Sequence, residues 1–296
     1  MADIDFIQRM KDYEESHCWQ YDIRVNNLAE DLKEANLSEE YVSNLTVDDF
    51  EFKMVTDKKE QKKMVAFIKR HEWLGNISQY TTHWFACYHK NILAGAILFN
   101  MPNAFSKSLG ENTNELERLI SRGACISWSP KNLASAFIMW SIKHMVKNTQ
   151  YRLFTAYSDP AAKELGTIYQ ACNFYYLGQT FGGKAKYVNP YTGKLVSDRF
   201  FRQRTAYKKY AKELGIEWQK EYTHPTGMAW DNIPDDIEKR LREHSKLKQR
   251  NAEKIEIVQK HKYAYVLGQD KKETRQLRRL FASKNKTYSY PKSRGV

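Results

Sequence analysis

Two short polar stretches of the sequence stand where an apolar run gives way to a helical pattern. Ser129 and Pro130 follow an apolar run that ends at Trp128, and Asp159 and Pro160 follow a second one. Serine and aspartate are favoured N-caps, and proline suits the first helical position because its missing N–H has no helical partner there. The spacing therefore predicts two helices that begin directly after strands.

The first predicted helix start also suits an anion. Unpaired N–H groups and the helix dipole favour negative charge at a helix N-terminus. Ser129, Lys131 and Asn132 lie at this start, and Lys131 adds a full positive charge. A capped helix packed under a sheet explains the same residues without a ligand, so the spacing leaves both interpretations open.

Asp159 likewise has two interpretations. It can cap the second helix, or its carboxylate can accept a proton. The ends of adjacent parallel strands, each followed by a helix start, form the crevice in which open α/β sheets bind ligands. If the two predicted strands are neighbours, both helix starts face one crevice, and Asp159 can serve both purposes.

The segments around these stretches alternate between strand and helix patterns. In the order strand, helix, strand, helix, strand, we predict Leu116–Trp128, Ser129–Lys147, Tyr151–Ser158, Pro160–Asn173 and Phe174–Thr180. Such alternation favours parallel neighbours with right-handed crossovers. A β-hairpin precedes them, with strands at Trp84–Tyr88 and Leu93–Asn100. The centre of the chain is therefore predicted to be α/β.

The chain of 296 residues is long enough for one compact body with appended segments. We expect a helical N-terminal extension over residues 1–55, a catalytic domain over 56–222 and a basic, mainly helical region over 223–296. Charged helices are predicted at Lys58–His71, Arg199–Leu214, Asp235–Lys262 and Lys271–Phe281.

The net charge of +13 is concentrated in the last third of the sequence. Residues 201–296 contain 24 Lys and Arg against 12 Asp and Glu, whereas residues 1–200 contain 24 against 23. Such asymmetry is typical of proteins that bind a polyanion, because each Lys or Arg that meets a phosphate releases condensed counterions. Nucleic acid is the obvious partner, and a solvated helical tail is the alternative.

Composition argues against several other classes of protein. A mean hydropathy of −0.73 and the lack of an apolar run of about 18 residues exclude a spanning helix. The acidic start has no signal-peptide core, so we expect a cytoplasmic protein without a membrane partner. The four cysteines form no CxxC pair, and His71, His83 and His89 lack ligand spacing. We assign no metal site and leave a metal requirement open.

The stretch Ile168–Gly178, IYQACNFYYLG, resembles the fourth-helix signature of the GNAT acyltransferase superfamily. There a tyrosine is followed five residues on by an aromatic residue preceded by glycine, which correspond here to Tyr169, Phe174 and Asn173. Asparagine can replace glycine because it also adopts the left-handed conformation that ends a helix. The resemblance implies a GNAT-like mixed central sheet with flanking helices, and Tyr169 as the acid that protonates a departing thiolate.

The resemblance also implies a donor such as acetyl-CoA or another acyl-CoA-like molecule. The usual GNAT pyrophosphate signature, Q/R-x-x-G-x-G/A, is absent, because the RGA motif that begins at Arg122 has the wrong spacing and lies on a predicted strand. The helix start at Ser129, Lys131 and Asn132 is the remaining candidate for binding the donor phosphates.

Within that superfamily the sequence is most similar to the Mom family of phage DNA-modification proteins, over about residues 70 to 220. The similarity rests on the motifs SPKNLAS, AYSDPA and GTIYQACNF. Mom proteins convert the N6 amino group of adenine to a carbamoylmethyl derivative and so block restriction. The resemblance implies a phage-encoded enzyme of the host cytoplasm whose activity depends on Ser135, Asp159 and an arginine, either Arg122 or Arg118.

This chemistry assigns roles to residues already named. The target amine is held in a base pair, so the enzyme must flip the base out of double-stranded DNA or act on an unpaired strand. Tyr157 is a candidate stacking residue, Asp159 would remove the amine proton, and Arg122 would stabilise negative charge on the donor. Basic residues at helical spacings would contact phosphates: Arg199, Arg202, Arg204, Lys208 and Lys209.

Two other functions remain open at this point. A GNAT-type acyltransferase could act on an amine of RNA, of a protein or of a small molecule. A protein without catalytic activity could bind nucleic acid through its basic region, in which case the polar residues at the strand ends are ordinary caps.

Overall fold

The computed structural model describes residues 18–102, 104–180, 185–193, 195–256 and 259–292. These residues form two compact units, one within Met1–Thr180 and Lys260–Val296 and the other within Phe181–Gln259. The domain boundaries expected at residues 55 and 222 stay a prediction.

The strands belong to three sheets. In chain order they are β1 (Glu51–Met54), β2 (Thr81–His89), β3 (Ile92–Asn100), β4 (Glu117–Cys125), β5 (Leu153–Ser158), β6 (Tyr175–Gln179), β7 (Ala185–Val188), β8 (Leu195–Val196), β9 (Thr223–His224), β10 (Gly227–Met228), β11 (Lys254–Glu256) and β12 (His261–Val266). The first unit is built on a seven-stranded sheet in the order β1-β2-β3-β4-β5-β12-β6. Its strands are antiparallel to their neighbours, except that β4 and β5 are parallel.

Helices flank this sheet. The α-helices of the described residues are α1 (Trp19–Ala35), α2 (Glu39–Ser43), α3 (Lys58–His71), α4 (Leu133–Asn148), α5 (Thr167–Ala171), α6 (Arg204–Glu213), α7 (Asp235–Asn251) and α8 (Lys271–Lys284). Helices α3 and α4 pack against β3 and β4, and α8 packs against β12. The predicted α/β class, with a mixed central sheet and flanking helices, is confirmed.

Helix α3 shows how the local sequence defines these elements. Asp57 caps it by accepting hydrogen bonds from the backbone N–H groups of Lys59 (3.0 Å) and Glu60 (2.9 Å). Met64 and Ile68 lie one helical turn apart and are completely buried against the sheet. The lysines on the other side of the helix, such as Lys62 and Lys63, are exposed, and the helix begins and ends where the sequence predicted.

Strands β4 and β5 pair only over their first residues. Glu117 pairs with Leu153 and Leu119 with Thr155, and no pairing of these strands continues beyond that point among the described residues. From there β4 stays with β3 as far as Cys125, whereas β5 stays with β12 as far as Ser158. The two parallel strands therefore diverge and leave a gap between their C-terminal halves.

A hydrophobic core fills the space between the sheet and its helices. Its largest fully buried side chains in the first unit are Trp128, Tyr263, Phe85, Phe99, Phe137, Phe154, Phe174, Phe281, Met64 and Ile68. Trp128, one of the aromatic residues near the predicted crevice, is thus a core residue. Its burial fits the general rule that large aromatic side chains dominate core packing.

The second unit has its own small core. Helices α6 and α7 pack against each other, and the buried side chains between them include Tyr207, Tyr210 and Leu241. Strands β11, β7 and β8 form a separate antiparallel sheet, and β9 pairs with β10. The predicted basic helix over Arg199–Leu214 is divided here into a short 3-10 turn, Asp198–Arg202, and α6.

The prediction that β5 and β6 are parallel neighbours was wrong. Strand β12 lies between β5 and β6 and is antiparallel to both, so β5 and β6 are not adjacent. The pattern of alternating elements could not reveal this insertion, because the inserted strand comes from residues about a hundred positions further along the chain. A strand over YAYVLG was predicted and is present, shifted to His261–Val266.

The described residues contain no helix with enough length and apolar character to cross a membrane. Within the same part of the chain, no three histidine, cysteine, aspartate or glutamate side chains come together as a metal site would require.

Candidate active site

A cavity of about 670 Å³ lies where β4 and β5 diverge. Its walls include Ser121–Gly123 of β4, Tyr157–Asp159 at the end of β5, and the segment Lys163–Tyr169 that leads into α5. Small-molecule sites in proteins typically measure about 300 to 1,000 Å³. The divergence of one parallel strand pair thus creates a space that can hold a ligand.

Arg122 is part of the β4 wall, and the backbone holds it in place. Its Nε donates to the carbonyl of Asn76 at 2.6 Å, and another guanidinium nitrogen donates to the carbonyl of Ser121 at 2.5 Å. A third nitrogen donates to the side-chain oxygen of Asn76. These bonds orient the guanidinium beside Glu72, whose Oε2 lies 3.8 Å from Nε. Of the two predicted arginines, Arg122 is the one that reaches the cavity.

Arg118 serves a structural purpose instead. It is buried, donates to the carbonyl of Glu117 at 2.7 Å and to the hydroxyl of Tyr151 at 2.5 Å, and its guanidinium stacks over the Tyr151 ring. It does not line the cavity. The sequence left both arginines open because they lie four residues apart on the same strand, and only the point at which β4 leaves β5 separates them.

Asp159 caps a turn, as predicted. Its Oδ1 accepts the backbone N–H of Ala161 at 3.1 Å, and Pro160 begins a 3-10 turn that ends at Ala162. Its Oδ2 lies 3.0 Å from Nζ of Lys260. The helix predicted over Pro160–Asn173 was wrong in length, because Lys163 adopts a left-handed conformation and the chain restarts a helix only at Thr167.

Two glutamates in the cavity wall were not among the predicted residues. Glu164 Oε1 accepts the indole N–H of Trp73 at 3.0 Å, and its Oε2 accepts the backbone N–H of Asp159 at 3.2 Å. Glu72 Oε2 accepts the backbone N–H of Gly75 at 2.7 Å. Burial raises the pKa of both carboxyl groups, although Arg122 opposes the shift at Glu72. No motif or spacing in the sequence marks either residue.

Two predicted tyrosines also line the cavity. Tyr169 of α5 packs against Phe174 and Tyr263, and burial followed by the charges of Glu164 and Glu72 raises the pKa of its hydroxyl strongly. The hydroxyl is therefore protonated at neutral pH. Tyr157 at the end of β5 is 37% exposed, so part of its ring is free to contact a ligand.

The first predicted helix start differs from the prediction. Helix α4 begins at Leu133, and its N-cap is Asn132 with a left-handed φ of 67°, so Ser129 does not cap it and Pro130 is not its first residue. Ser129 is buried, and Arg24 donates to its carbonyl at 2.5 Å and to its hydroxyl at 3.1 Å. The N-cap at Asn132 was not predicted, because the local pattern around Ser129 contains no information about its contact with Arg24.

The residues predicted around this start do not line the cavity. Lys131 and Asn132 are exposed beyond the turn, whereas the hydroxyl of Ser135 donates to the carbonyl of Asn132 at 2.9 Å. The carbonyl of Ser135 accepts a weak bond from the thiol of Cys172. Their predicted roles in donor binding and catalysis stay predictions.

The predicted phosphate-contacting residues lie in the second unit and are all exposed. Arg202 pairs with Asp198, and Arg204 donates to the carbonyl of His224 at 2.9 Å. Lys209 lies 4.3 Å from the centre of the Tyr191 ring. Arg199 and Lys208 are exposed as well, and a role in phosphate binding stays a prediction for the whole set.

No curated protein sequence matches the chain. An acetyltransferase from Bacillus subtilis in complex with CoA is 8% identical, with a TM-score of 0.36, 74% of this chain covered and 99% of that one. A GNAT family acetyltransferase from Elizabethkingia anophelis with acetyl-CoA bound is 11% identical, with a TM-score of 0.37 and the same coverage. An N-acetyltransferase from Staphylococcus aureus is 16% identical, with a TM-score of 0.31, 44% of this chain covered and 83% of that one. Similarity at this level carries no inference about substrate or reaction.

The family comparison is more specific. Residues 49–217 match the Mom protein family, and this range covers more than half of the chain and contains β1 to β8. It includes the three motifs on which the resemblance rested and the cavity residues Glu72, Arg122, Asp159 and Tyr169. The chain belongs to the Mom protein family.

Proposed function

We propose that this protein is a Mom-type transferase that modifies the N6 amino group of adenine in DNA and thereby protects that DNA from restriction. The observation that carries the proposal is the cavity between the diverging strands, which gathers Arg122, Tyr157, Asp159 and Tyr169 in one place. Membership of the Mom family supports the assignment of these residues to a transfer reaction.

The cavity suits an extended donor such as an acyl thioester of coenzyme A. Among the described residues, no strand pairs with the edge of β4 that faces β5 beyond Leu119, so its backbone groups can pair with the amide groups of an extended ligand arm. Arg122 supplies positive charge beside this edge. Tyr169, kept protonated by its surroundings, can give a proton to the departing sulfur.

DNA suits the acceptor side of the proposal. A base that leaves the duplex needs an aromatic surface to replace its lost stacking, and the half-exposed Tyr157 offers one at the cavity wall. The exposed basic residues of α6 and the preceding turn offer phosphate contacts that do not depend on sequence. The net charge of +13 agrees with a polyanionic substrate.

A second candidate acceptor is an amine of RNA, of a protein or of a small molecule. The carboxylates of Glu72, Asp159 and Glu164 in the cavity favour it, because they can accept hydrogen bonds from any amino group. The same acceptor groups serve an exocyclic adenine amine. Only the substrate distinguishes the two candidates, since the transfer chemistry is shared.

Mass spectrometry of nucleosides tests the proposal directly. DNA from cells that express the wild-type chain should contain an adenosine derivative of increased mass, whereas DNA from cells expressing the Asp159→Asn variant should contain much less. The Asp57→Asn variant serves as a control, since Asp57 also caps a helix but does not line the cavity. Unmodified adenine in DNA from cells with well-expressed wild-type protein would refute the proposal and favour another amine.

A further inference from the structure

We propose that Glu164, rather than Asp159, accepts the proton of the acceptor amine, and that Trp73 fixes the orientation of its carboxylate. This inference rests on the proposed function, because it names the proton acceptor for the same transfer. No sequence pattern marks Glu164, because it lies after the Asp159 turn and before α5, outside the three family motifs.

Two donors from different parts of the chain hold the Glu164 carboxylate. The indole N–H of Trp73 donates to Oε1 at 3.0 Å, and the backbone N–H of Asp159 donates to Oε2 at 3.2 Å. Trp73 is itself packed edge-on against Trp19 at 5.4 Å between ring centres. Each carboxylate oxygen retains one lone pair, so the group is oriented in the cavity wall and still able to accept a proton.

Asp159 is less available for the same task, because one of its oxygens caps a turn and the other is paired with an ammonium group. Oδ1 caps the turn through the N–H of Ala161 at 3.1 Å, and Oδ2 is 3.0 Å from the ammonium group of Lys260. Asp159 acts in this scheme as a positioning residue, through its cap and through its N–H to Glu164.

The charges that face Glu164 increase its affinity for a proton. Glu72 and Asp159 are both negative neighbours in the cavity, and burial is the main cause that raises the pKa of the Glu164 carboxyl. The Trp73 and Asp159 N–H groups oppose this shift without cancelling it. The positive groups of the cavity lie closer to other acids: Arg122 beside Glu72 and Lys260 beside Asp159.

The transfer step can be written with these groups. The nitrogen of the acceptor amine forms a bond to the carbon that the donor transfers, and the bond from that carbon to the sulfur of the donor breaks with its electron pair on sulfur. The amine proton goes to an oxygen of Glu164, and the sulfur takes the hydroxyl proton of Tyr169. Net transfer of one proton from amine to thiolate is completed when Glu164 and Tyr169 exchange protons with solvent, which restores both groups.

The Glu164→Gln variant of the full chain tests the inference, because glutamine keeps an oxygen for Trp73 but cannot accept a proton. We expect it to modify DNA at a rate lower by about 10² to 10⁴, the usual contribution of a general base. The wild-type rate should rise with pH as Glu164 ionises, and the variant should lack that rise. A variant with the wild-type rate and pH profile would overturn the inference while leaving the proposed function intact.

Trp73 offers a readout that does not depend on activity. Its fluorescence should change as Glu164 titrates, and subtracting the signal of the Trp73→Phe variant isolates it from the other six tryptophans among the seven of the chain. We expect a step above the ordinary glutamate pKa of about 4.3 in the wild type and none in Glu164→Gln. If the wild type leaves DNA unmodified, the proposed function fails, and this titration alone decides whether Glu164 holds a proton as inferred; a wild type without the step overturns the inference.

Discussion

The two connections that follow the diverging strands have similar sequences and different structures. After β5, Asp159 and Pro160 form a cap and a turn whose residues line the cavity. After β4, Ser129 and Pro130 lie in a buried turn, and α4 starts three residues later from Asn132. The same local pattern thus produced a ligand-facing cap in one place and a buried anchor in the other.

The difference comes from a distant partner. Arg24 of α1 donates to the carbonyl of Ser127 at 2.7 Å and to the carbonyl of Ser129 at 2.5 Å, and Asp31 of the same helix accepts from the hydroxyl of Ser127 at 2.6 Å. Burial lowers the pKa of Arg24 to about 10, so it remains charged at neutral pH. A cap motif therefore predicts local hydrogen bonding, whereas tertiary contacts decide where the motif is placed.

The largest effect is expected from breaking the β5 connection at Gly166. This glycine has a φ of +68°, and an added Cβ would lie 2.5 Å from a ring carbon of Tyr263. We expect Gly166→Ala to lower the free energy of unfolding by about 2 to 5 kcal/mol, from backbone strain and overpacking together. Chemical denaturation of the two proteins measures the difference.

Gly193→Ala is the matched control, because Gly193 has almost the same φ of +69° and no atom within 4 Å of the added Cβ. Its cost should be limited to the backbone strain of about 1 to 2 kcal/mol. Equal losses in the two variants would show that the packing of Tyr263 against Gly166 does not matter for the connection.

A smaller effect is expected from breaking the β4 connection at Arg24. Arg24→Ala leaves the carbonyls of Ser127 and Ser129 without this donor, and we expect a loss of about 1 to 3 kcal/mol in the free energy of unfolding. The control is Arg202→Ala, which removes an exposed ion pair worth about 0 to 1 kcal/mol. If the Arg24 variant were no less stable than its control, the hydrogen bonds of Arg24 to Ser127 and Ser129 would not contribute to the stability of the fold.

Local sequence patterns predicted some elements of the fold and not others. The hairpin, the basic helix α3 and the cap at Asp159 follow from local patterns, and the structure has them where expected. The insertion of β12 and the anchoring of Ser129 by Arg24 depend on contacts between residues about a hundred positions apart, which local propensity does not record.

The residues of the candidate site also fall into two groups, those that the sequence predicted and those that it did not. Arg122, Asp159 and Tyr169 line the cavity, and each of them was named from the strand ends or from the family resemblance. Glu72 and Glu164 were missed, because a glutamate becomes chemically distinctive through burial and through partners such as Trp73, not through its position in a motif. Sequence patterns therefore identified the walls of the cavity better than the charges inside it.

The caps at Asp159 and Asp57 lie in different surroundings, and the loss of either should have a moderate effect on stability. Asp159→Ala and Asp57→Ala each remove a side-chain cap, and each should lower the free energy of unfolding by about 0.5 to 2 kcal/mol. Only the Asp159 variant should also reduce DNA modification, since it removes the partner of Lys260 in the cavity wall. Equal modification of DNA by the two variants would mean that the β5 connection is a structural cap and nothing more.

The smallest effect is a change in the free energy of unfolding of the protein with pH. Burial raises the pKa of Glu164 in the folded protein, so the ionised carboxylate is less favourable in the fold than in the unfolded chain. This cost is absent below the unfolded pKa of about 4.3, grows as the pH rises towards the folded pKa, and is complete above it. Glu164→Gln should therefore match the wild type in acid and be more stable than the wild type at neutral pH. Thermal unfolding of both proteins across this pH range measures the difference, and a Glu164→Gln variant whose stability relative to the wild type is the same at every pH would mean that the cavity does not perturb this carboxyl group.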